Sequence, residues 1–278
     1  MIVVISDVHL GYEKCNREGF ESFVDTFLAT EDISYLILLG DVLDFWRRNA
    51  ENVMLENKDI LRTVGALNLK RYYVVGNHDY NLLNSNNGLP FEFVKTLSLQ
   101  SGGKKFRFIH GYQIESYPLI KFYEGISQVL CTAGDETGQI MSDIWDFYQR
   151  KIRGILSREE VYEPRLSNLS KEELEEIVKL IMRYPEEKPL YGCFTEKQIE
   201  DYRDFAHVSP DEILVYGHTH NPCVKSNEAN AGSWVSGSRR PNSYLTIEGR
   251  EVTVNYWESG SETAVDQVER GCEYAEVF

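Results

Sequence analysis

Cysteine is scarce and unpatterned in this sequence: five residues, at 15, 131, 193, 223 and 272, an odd number with no Cys-x-x-Cys spacing. That argues against a disulfide framework and makes a reducing cytoplasm the expected setting. No run of about 18 uncharged apolar residues occurs, so no membrane-spanning helix is expected. The opening stretch Met1–Asp7 lacks the basic region and small-residue cleavage site of a signal peptide and enters a strand-like run at once. Positive charge is in deficit, since 29 Lys and Arg against 44 Asp and Glu leave a formal charge of −15. A sequence-independent grip on a polyanion needs clustered Lys and Arg, so nucleic acid is disfavoured as a partner. A small phosphorylated substrate is not, because bound cations invert the local field. No solenoid-length repeat and no low-complexity tract is visible. What remains is a 278-residue chain, 42% hydrophobic, with material for a sizeable core in one or two domains.

The amino-terminal half repeats one grammatical unit, a short β-rich run that stops abruptly in polar residues. Ile2–Ile5 runs into Ser6-Asp7-Val8-His9, Tyr35–Leu39 into Gly40-Asp41, Tyr72–Val75 into Gly76-Asn77-His78-Asp79, and Phe106–Ile109 into His110-Gly111. Continuous apolar runs of this length read as strands buried on both faces. Phe20, Phe23, Val24, Phe27 and Leu28 have the spacing of one helical face. From 117 to 206 the texture turns helical. Ile140, Ile144, Phe147, Lys151 and Ile152 suggest one helix. Ser170–Glu173 and Thr195–Gln198 read as capping boxes that open two more. Strand grammar then resumes: Glu212–Tyr216 leads into Gly217-His218-Thr219-His220, and 243–247 with 251–256 reads as a hairpin. The expected organisation is one domain over 1–258, a helical insertion or lid over about 117–206, and a loose acidic tail over 259–278.

Of six histidines, five (9, 78, 110, 218 and 220) fall just past strand ends, beside Asp7, Asp41, Asn77 and Asp79. In layered α/β proteins ligands gather beyond the carboxyl ends of the strands. Imidazole, carboxylate and one amide oxygen, with no thiolate, suit borderline-to-hard divalent ions. Asp7, His9, Asp41, Asn77, His110, His218 and His220 exceed what one tetrahedral site needs and fit a two-metal site with a shared carboxylate. Alternation along a strand would turn Asp7 and His9 to the same side, and His218 and His220 likewise. Such a pair of cations clamps a phosphoryl oxygen and converts a trapped water to hydroxide near neutral pH. An imidazole near the leaving oxygen would supply its proton.

The ordered series Asp7-x-His9, Gly40-Asp41, Gly76-Asn77-His78-Asp79, His110-Gly111 and Gly217-His218-Thr219-His220 resembles the calcineurin-like metallophosphoesterases. Ala231-Gly232-Ser233 is similar to the small-residue segment that follows the last block. The resemblance implies an α/β fold of two mixed β-sheets packed as a sandwich and flanked by helices. It also implies Asp7, His9, Asp41 and His220 around one metal, Asp41, Asn77, His110 and His218 around the other, and Asp41 as the bridge. His78 would stand near the leaving group, with Asp79 holding its ring. Gly40-Asp41-Val42-Leu43-Asp44-Phe45-Trp46 is similar to the branch containing UDP-2,3-diacylglucosamine hydrolase, although that branch has Arg where this chain has His78.

Arg47 and Arg48 carry guanidinium forks suited to phosphate oxygens, or else are solvated helix-start charges. Tyr112 and Tyr117 could line the approach, with plain packing as the alternative. Asp44 is a candidate acceptor behind the ligands, or an ordinary cap. The apolar run Tyr117–Tyr123 could form a lid or touch a membrane edge, or simply be buried. The expected activity is dinuclear, metal-dependent phosphoester hydrolysis. The expected substrate is a small phosphorylated molecule, with a phosphodiester or a nucleotide-sugar or lipid-linked diphosphate favoured. Mn²⁺ is the expected ion, with Fe or Zn also compatible. A nuclease of the same superfamily is a second reading, disfavoured by the charge. A catalytically inactive metal-binding scaffold is a third, disfavoured because no candidate ligand is missing.

Overall fold

The computed structural model describes residues 1–84, 88–117, 120–133, 193–238, 240–258 and 261–263. Seven strands form the larger sheet. Ile2–Ile5 (β1), Tyr35–Leu39 (β2), Lys70–Val74 (β3) and Glu92–Val94 (β4) run parallel, in that spatial order, toward one edge. The smaller sheet holds Leu97–Ser101 (β5), Lys104–Phe108 (β6), Ile213–Tyr216 (β7), Cys223–Val224 (β8) and Glu228–Asn230 (β9), in the order β5-β6-β7-β9-β8. Ser243–Glu248 (β10), Glu251–Glu258 (β11) and Ser261–Thr263 (β12) return to the larger sheet on the other side of β1, all antiparallel to their neighbours. Both sheets are mixed, as the resemblance implied.

The period of a strand explains the layering. Ile2 and Val4 of β1 point into the sandwich with Ile37, Leu39, Val74, Phe106, Phe108 and Val215. Val3 and Ile5, one residue out of phase, join Leu36, Leu38 and Tyr73 against the outer helices. A strand apolar on both faces is therefore needed at the centre, and β1 and β2 supply it. The outer layer is built by Arg17–Phe23 (α1), Ala50–Glu56 (α2) and Lys58–Ala66 (α3). The helical face expected around Phe20–Leu28 is present and buried, but after Phe23 it continues as a π-helical turn over Val24–Leu28. On the other side, Tyr112–Ser116 (α4) and Glu196–Phe205 (α6) pack on the smaller sheet through Ile114, Phe194, Ile199 and Tyr202. Between them in sequence stands Ile120–Ala133 (α5).

The Thr195 capping box is formed: its side chain accepts from Gln198 N while the Gln198 side chain accepts from Thr195 N. The hairpin is formed too, with Glu248 opposite Glu251 across Gly249-Arg250. Sheet pairing continues past the expected boundary at 258, since Ser261–Thr263 adds a strand beside β11. The helix around Ile140–Ile152, the Ser170–Glu173 capping box and the acidic stretch from 264 lie outside the described residues. Within the apolar run at 117–123, Tyr123 is buried and Tyr117 packs at a tilt against Phe205 with ring centroids 4.8 Å apart. Pro118 and Leu119 lie outside the described residues. Among the described residues no helix is long and apolar enough to cross a membrane.

The sandwich interior predicts a large cost for truncation. Phe108→Ala, at a fully buried position between the sheets, should lower the unfolding free energy by about 3–5 kcal/mol, read as a shift of the urea midpoint.

Candidate metal centre

Strands β1, β2, β3, β6 and β7 all end on one edge of the sandwich, and the residues just beyond them meet there. The expected reason, alternation along a strand, is not the operative one. β1 stops at Ile5 and β7 at Tyr216, and the ligand-type residues that follow have left the strand conformation altogether. Asp7, His9, Asp41, His218 and His220 sit at φ of 53°, 54°, 52°, 67° and 52°. Among the described non-glycine residues only His207 and Asn242 share that left-handed region. Such a conformation costs of order 1–3 kcal/mol per residue and persists only where surrounding contacts over-determine it. Those contacts are present. Asp7 N donates to Gly40 O at 3.0 Å and His9 N to Asp41 O at 2.9 Å. Trp234 N and Ser233 Oγ both donate to Asp7 O at 3.0 Å, from the small-residue segment that ends the motif series. Gly76 is required for a different reason: a Cβ there would collide with the Asp41 carboxylate.

The turned-in side chains bring their donor atoms together. His220 Nε2 lies 3.2 Å from Asp7 Oδ1 and 3.3 Å from His9 Nε2. His110 Nε2 lies 3.1 Å from Asp41 Oδ2, and His9 Nε2 is 3.9 Å from the same oxygen. Three groups result, Asp7–His9–His220, Asp41–His110–His218 and His9–Asp41–His78, each with donor atoms within 4.8 Å of one another. Asn77 is buried beside them, and its Oδ1 has no hydrogen-bond partner among the described residues.

Counting protons shows what this arrangement is suited to hold. Asp7 Oδ2 accepts from Ser6 Oγ at 2.5 Å and from His218 N at 2.8 Å, whereas Asp7 Oδ1 has no hydrogen bond among the described residues. Asp41 Oδ1 accepts from His78 N at 2.7 Å, and Oδ2 faces the centre. His110 Nδ1 lies 2.8 Å from the carbonyl of Leu39, which can only accept, so Nδ1 carries the proton and Nε2 presents a lone pair. By the same logic His9 donates from Nδ1 to Asp44 Oδ2 at 3.0 Å and turns a bare Nε2 inward. Each carboxylate and each of these rings is thus anchored at its back, and with the rings neutral the front atoms are all acceptors facing acceptors. A buried cation relieves that opposition. The donor set, oxygen and imidazole nitrogen without sulfur, fits divalent ions.

Titration behaviour follows from the same crowding. Burial disfavours charge on His9, but Asp44 and Asp7 outweigh it and raise its pKa to about 9. His110 is raised to about 10, since Asp41 and Asp7 overcome its burial. Asp7 and Asp41 are buried, which favours the neutral acid, yet His110 and its neighbouring imidazoles hold both well below the ordinary range. His78 goes the other way: burial dominates the pull of Asp44 and Asp41, and its pKa is lowered.

The remaining candidate residues divide. His78 is in the centre, its ring stacked on Trp46 at 4.2 Å and its Nε2 4.0 Å from Asp41 Oδ2. Its ring is not held by Asp79, and that expectation is corrected. Asp79 faces backwards, accepting from Gly76 N at 2.7 Å, Val42 N at 2.8 Å and Tyr73 OH at 2.6 Å, so it clasps two motif loops to each other. Asp44 takes the ring instead, with His78 Nδ1 3.0 Å from Oδ1. Asp44 also accepts from Arg47, whose guanidinium lies 4.2 Å over the Tyr12 ring at the edge of the site. Arg48 and Tyr112 are not at the centre. Arg48 is turned to Glu56, with two contacts of 2.7 Å. Tyr112 is fully buried with its hydroxyl 3.0 Å from Glu124 Oε1, because α4 begins immediately after Gly111 and drives the ring into the core. Sequence reasoning missed Ser6, behind Asp7, and Glu115, whose carboxylate contacts His218 Nε2. A polar residue flush against a motif was the signal for Ser6; nothing local marks Glu115.

The sequence pattern of the calcineurin-like phosphoesterases matches residues 1–222. No curated protein matches the chain. Solved structures to which it is similar include Vacuolar Protein Sorting 29 from Cryptosporidium parvum, at 16% identity and TM-score 0.45, covering 94% of this chain and 93% of that one. A dimetal phosphatase from Danio rerio is similar at 11% identity and TM-score 0.47, covering 94% and 97%. Vps29 complexed with Zn²⁺ from Entamoeba histolytica is similar at 17% identity and TM-score 0.43, covering 94% and 95%.

Cation loading must expel the protons that His9 and His110 hold in the metal-free chain. Titrating the chain with Mn²⁺ in weak buffer should release protons. The apparent affinity should rise with pH and level off only near the raised values of about 9 and 10. Calorimetry at a series of pH values checks this.

Proposed function

Because the chain belongs to the calcineurin-like phosphoesterase family, we propose that it hydrolyses a phosphoester or diphosphate bond in a small molecule, with two divalent cations as cofactors. The observation that carries the proposal is the buried set of opposed acceptors. When bound, two divalent cations supply the charge that clamps a phosphoryl group and lowers the pKa of a water. Asp7, His9 and His220 would hold one ion, and Asn77, His110 and His218 the other. Asp41 contributes to donor groups on both sides and would be shared. The ligands carry only two carboxylates, so a doubly loaded site keeps net positive charge. That is how a chain of formal charge −15 would attract a phosphate. Mn²⁺ suits the nitrogen and oxygen donors, and Fe or Zn would enter the same site.

The rest of the chemistry falls to the chain's own residues. His78 stands beside the ligand set with Nδ1 on Asp44 and Nε2 toward the centre. Stacking on Trp46 fixes the plane of its ring. We assign to its Nε2 the transfer of a proton to the leaving oxygen. Asp44 steadies the imidazolium, while burial and Arg47 keep that form minor near neutrality. Asp79 has a positioning role, since it ties the Gly76 turn to Val42 and Leu43.

The Arg47 guanidinium, about a third exposed at 36% and braced by Asp44 and Tyr12, is suited to a second phosphate next to the bond broken. That favours a diphosphate over a monoester. The likeness of Gly40–Trp46 to the UDP-2,3-diacylglucosamine hydrolase branch supports the same choice, and a nucleotide-sugar or lipid-linked diphosphate is the proposed class. The segment 117–206 is proposed as a helical insertion. Its described ends touch the site: Phe194 stacks against His218 at 6.5 Å, and Cys131 Sγ donates to His78 O at 3.3 Å.

His78→Gln tests the assignment. The variant should retain two bound metal ions by elemental analysis. Turnover of alkyl phosphodiesters should fall by about 10²–10⁴-fold, the usual worth of a positioned acid. Turnover of an aryl diester with an acidic leaving group should fall far less. Equal losses on both substrates, or loss of metal, would remove His78 from that role.

A further inference from the structure

Glu115 is a buried carboxylate with no part in the chemistry above, and the chain on either side of it is anchored. It lies on α4, a helix of five residues, all buried. Gly111, at φ 128°, turns the chain straight from His110 into that helix. Ile114 packs with Phe194, Ile199 and Tyr216 beneath the smaller sheet. Gly111 N donates to Gln113 Oε1 at 3.0 Å, and Glu115 N reaches back to Gly111 O at 3.3 Å. One turn past a candidate ligand, the chain therefore delivers a carboxylate to the far side of another, where Glu115 Oε2 meets His218 Nε2.

We propose that Glu115 is a positioning residue that selects the second ion's ligand atom on His218. The argument rests on the two-cation reading and on a comparison among the rings. His110 is anchored through Nδ1 on a carbonyl and His9 through Nδ1 on a carboxylate, so both turn Nε2 inward. His218 is held in the opposite sense: a carboxylate accepts only, so Nε2 carries the proton and Nδ1 keeps the lone pair. The convergent group on that side is Asp41, His110 and His218, without Glu115. Glu115 therefore acts through the ring and not as a ligand. Its negative charge also makes the imidazole a stronger donor. The first-ion group is Asp7, His9 and His220, and His218 is not among its members.

Two substitutions separate this role from general support of the fold. Glu115→Gln keeps an acceptor oxygen and drops the charge, and Glu115→Leu removes both. Stepwise Mn²⁺ binding to the full chain, followed by calorimetry and by the exchange-coupled paramagnetic resonance signal of a paired site, reads each ion separately. The expected result is a second-ion affinity weakened about 10-fold to 100-fold in the Leu variant and by less in the Gln variant, with the first-ion affinity unchanged. Two-bond ¹⁵N–¹H spectra of the Zn²⁺-loaded wild type should place the His218 proton on Nε2. Should the Leu variant not fold, the Gln variant and that spectrum carry the test. Equal weakening of both ions, no weakening of either, or a His218 proton on Nδ1 would overturn the proposal. Wild-type protein that fails to take two ions would overturn the two-cation reading itself, a separate outcome.

Discussion

Acceptor facing acceptor, out of reach of water, is the constraint on which the rest of this structure depends. Asp7 Oδ1, Asp41 Oδ2 and the inner nitrogens of His9 and His110 crowd into one buried space. Each group's other polar atom is already engaged behind it, so without a cation only protons taken up by the imidazoles themselves pair them. Lone pairs so opposed in a low-dielectric interior repel, and leaving them unpaired is costly. The chain keeps them there with five left-handed ligand-type residues, a local strain that a packed sandwich can sustain and an isolated loop could not. Fold and site are thus one problem. Central strands apolar on both faces are what hold the five tips rigid enough to force the acceptors together.

Much of this was legible in the sequence because strands and tips obey different rules. Val3, Ile5, Leu36 and Leu38 are apolar on one face as Ile2, Val4, Ile37 and Leu39 are on the other, which is why short unbroken apolar runs located β1 and β2. The helical face at Phe20–Leu28 and the capping box at Thr195 are likewise local patterns with local causes. The abrupt polar residues after each run located the site edge, because buried strands end where the core ends.

What was not legible depends on conformations and contacts that sequence separation hides. Strand alternation gave the right side for Asp7 and His9 for the wrong reason, since both lie beyond the strand in a left-handed turn. The family resemblance implied Asp79 as the partner of His78, but that carboxylate, next in sequence, points the other way and serves the backbone of Gly76 and Val42. Asp44, 34 residues away, reaches the ring because the tips of β2 and β3 are neighbours in the sheet. Arg47 and Arg48 are equivalent by residue type and separated by direction: one is braced by Asp44 at the site edge and the other is turned to Glu56. Glu115 shows the same limit, because its meaning lies 103 residues away at His218.

The most direct test is crystallographic. Anomalous difference density from the Mn²⁺-soaked protein should show two peaks about 3.5–4 Å apart. One should touch Asp7, His9 and His220, the other Asn77, His110 and His218, with the Asp41 carboxylate between them. A single peak, or density away from these side chains while the strand tips keep their present arrangement, would contradict the account.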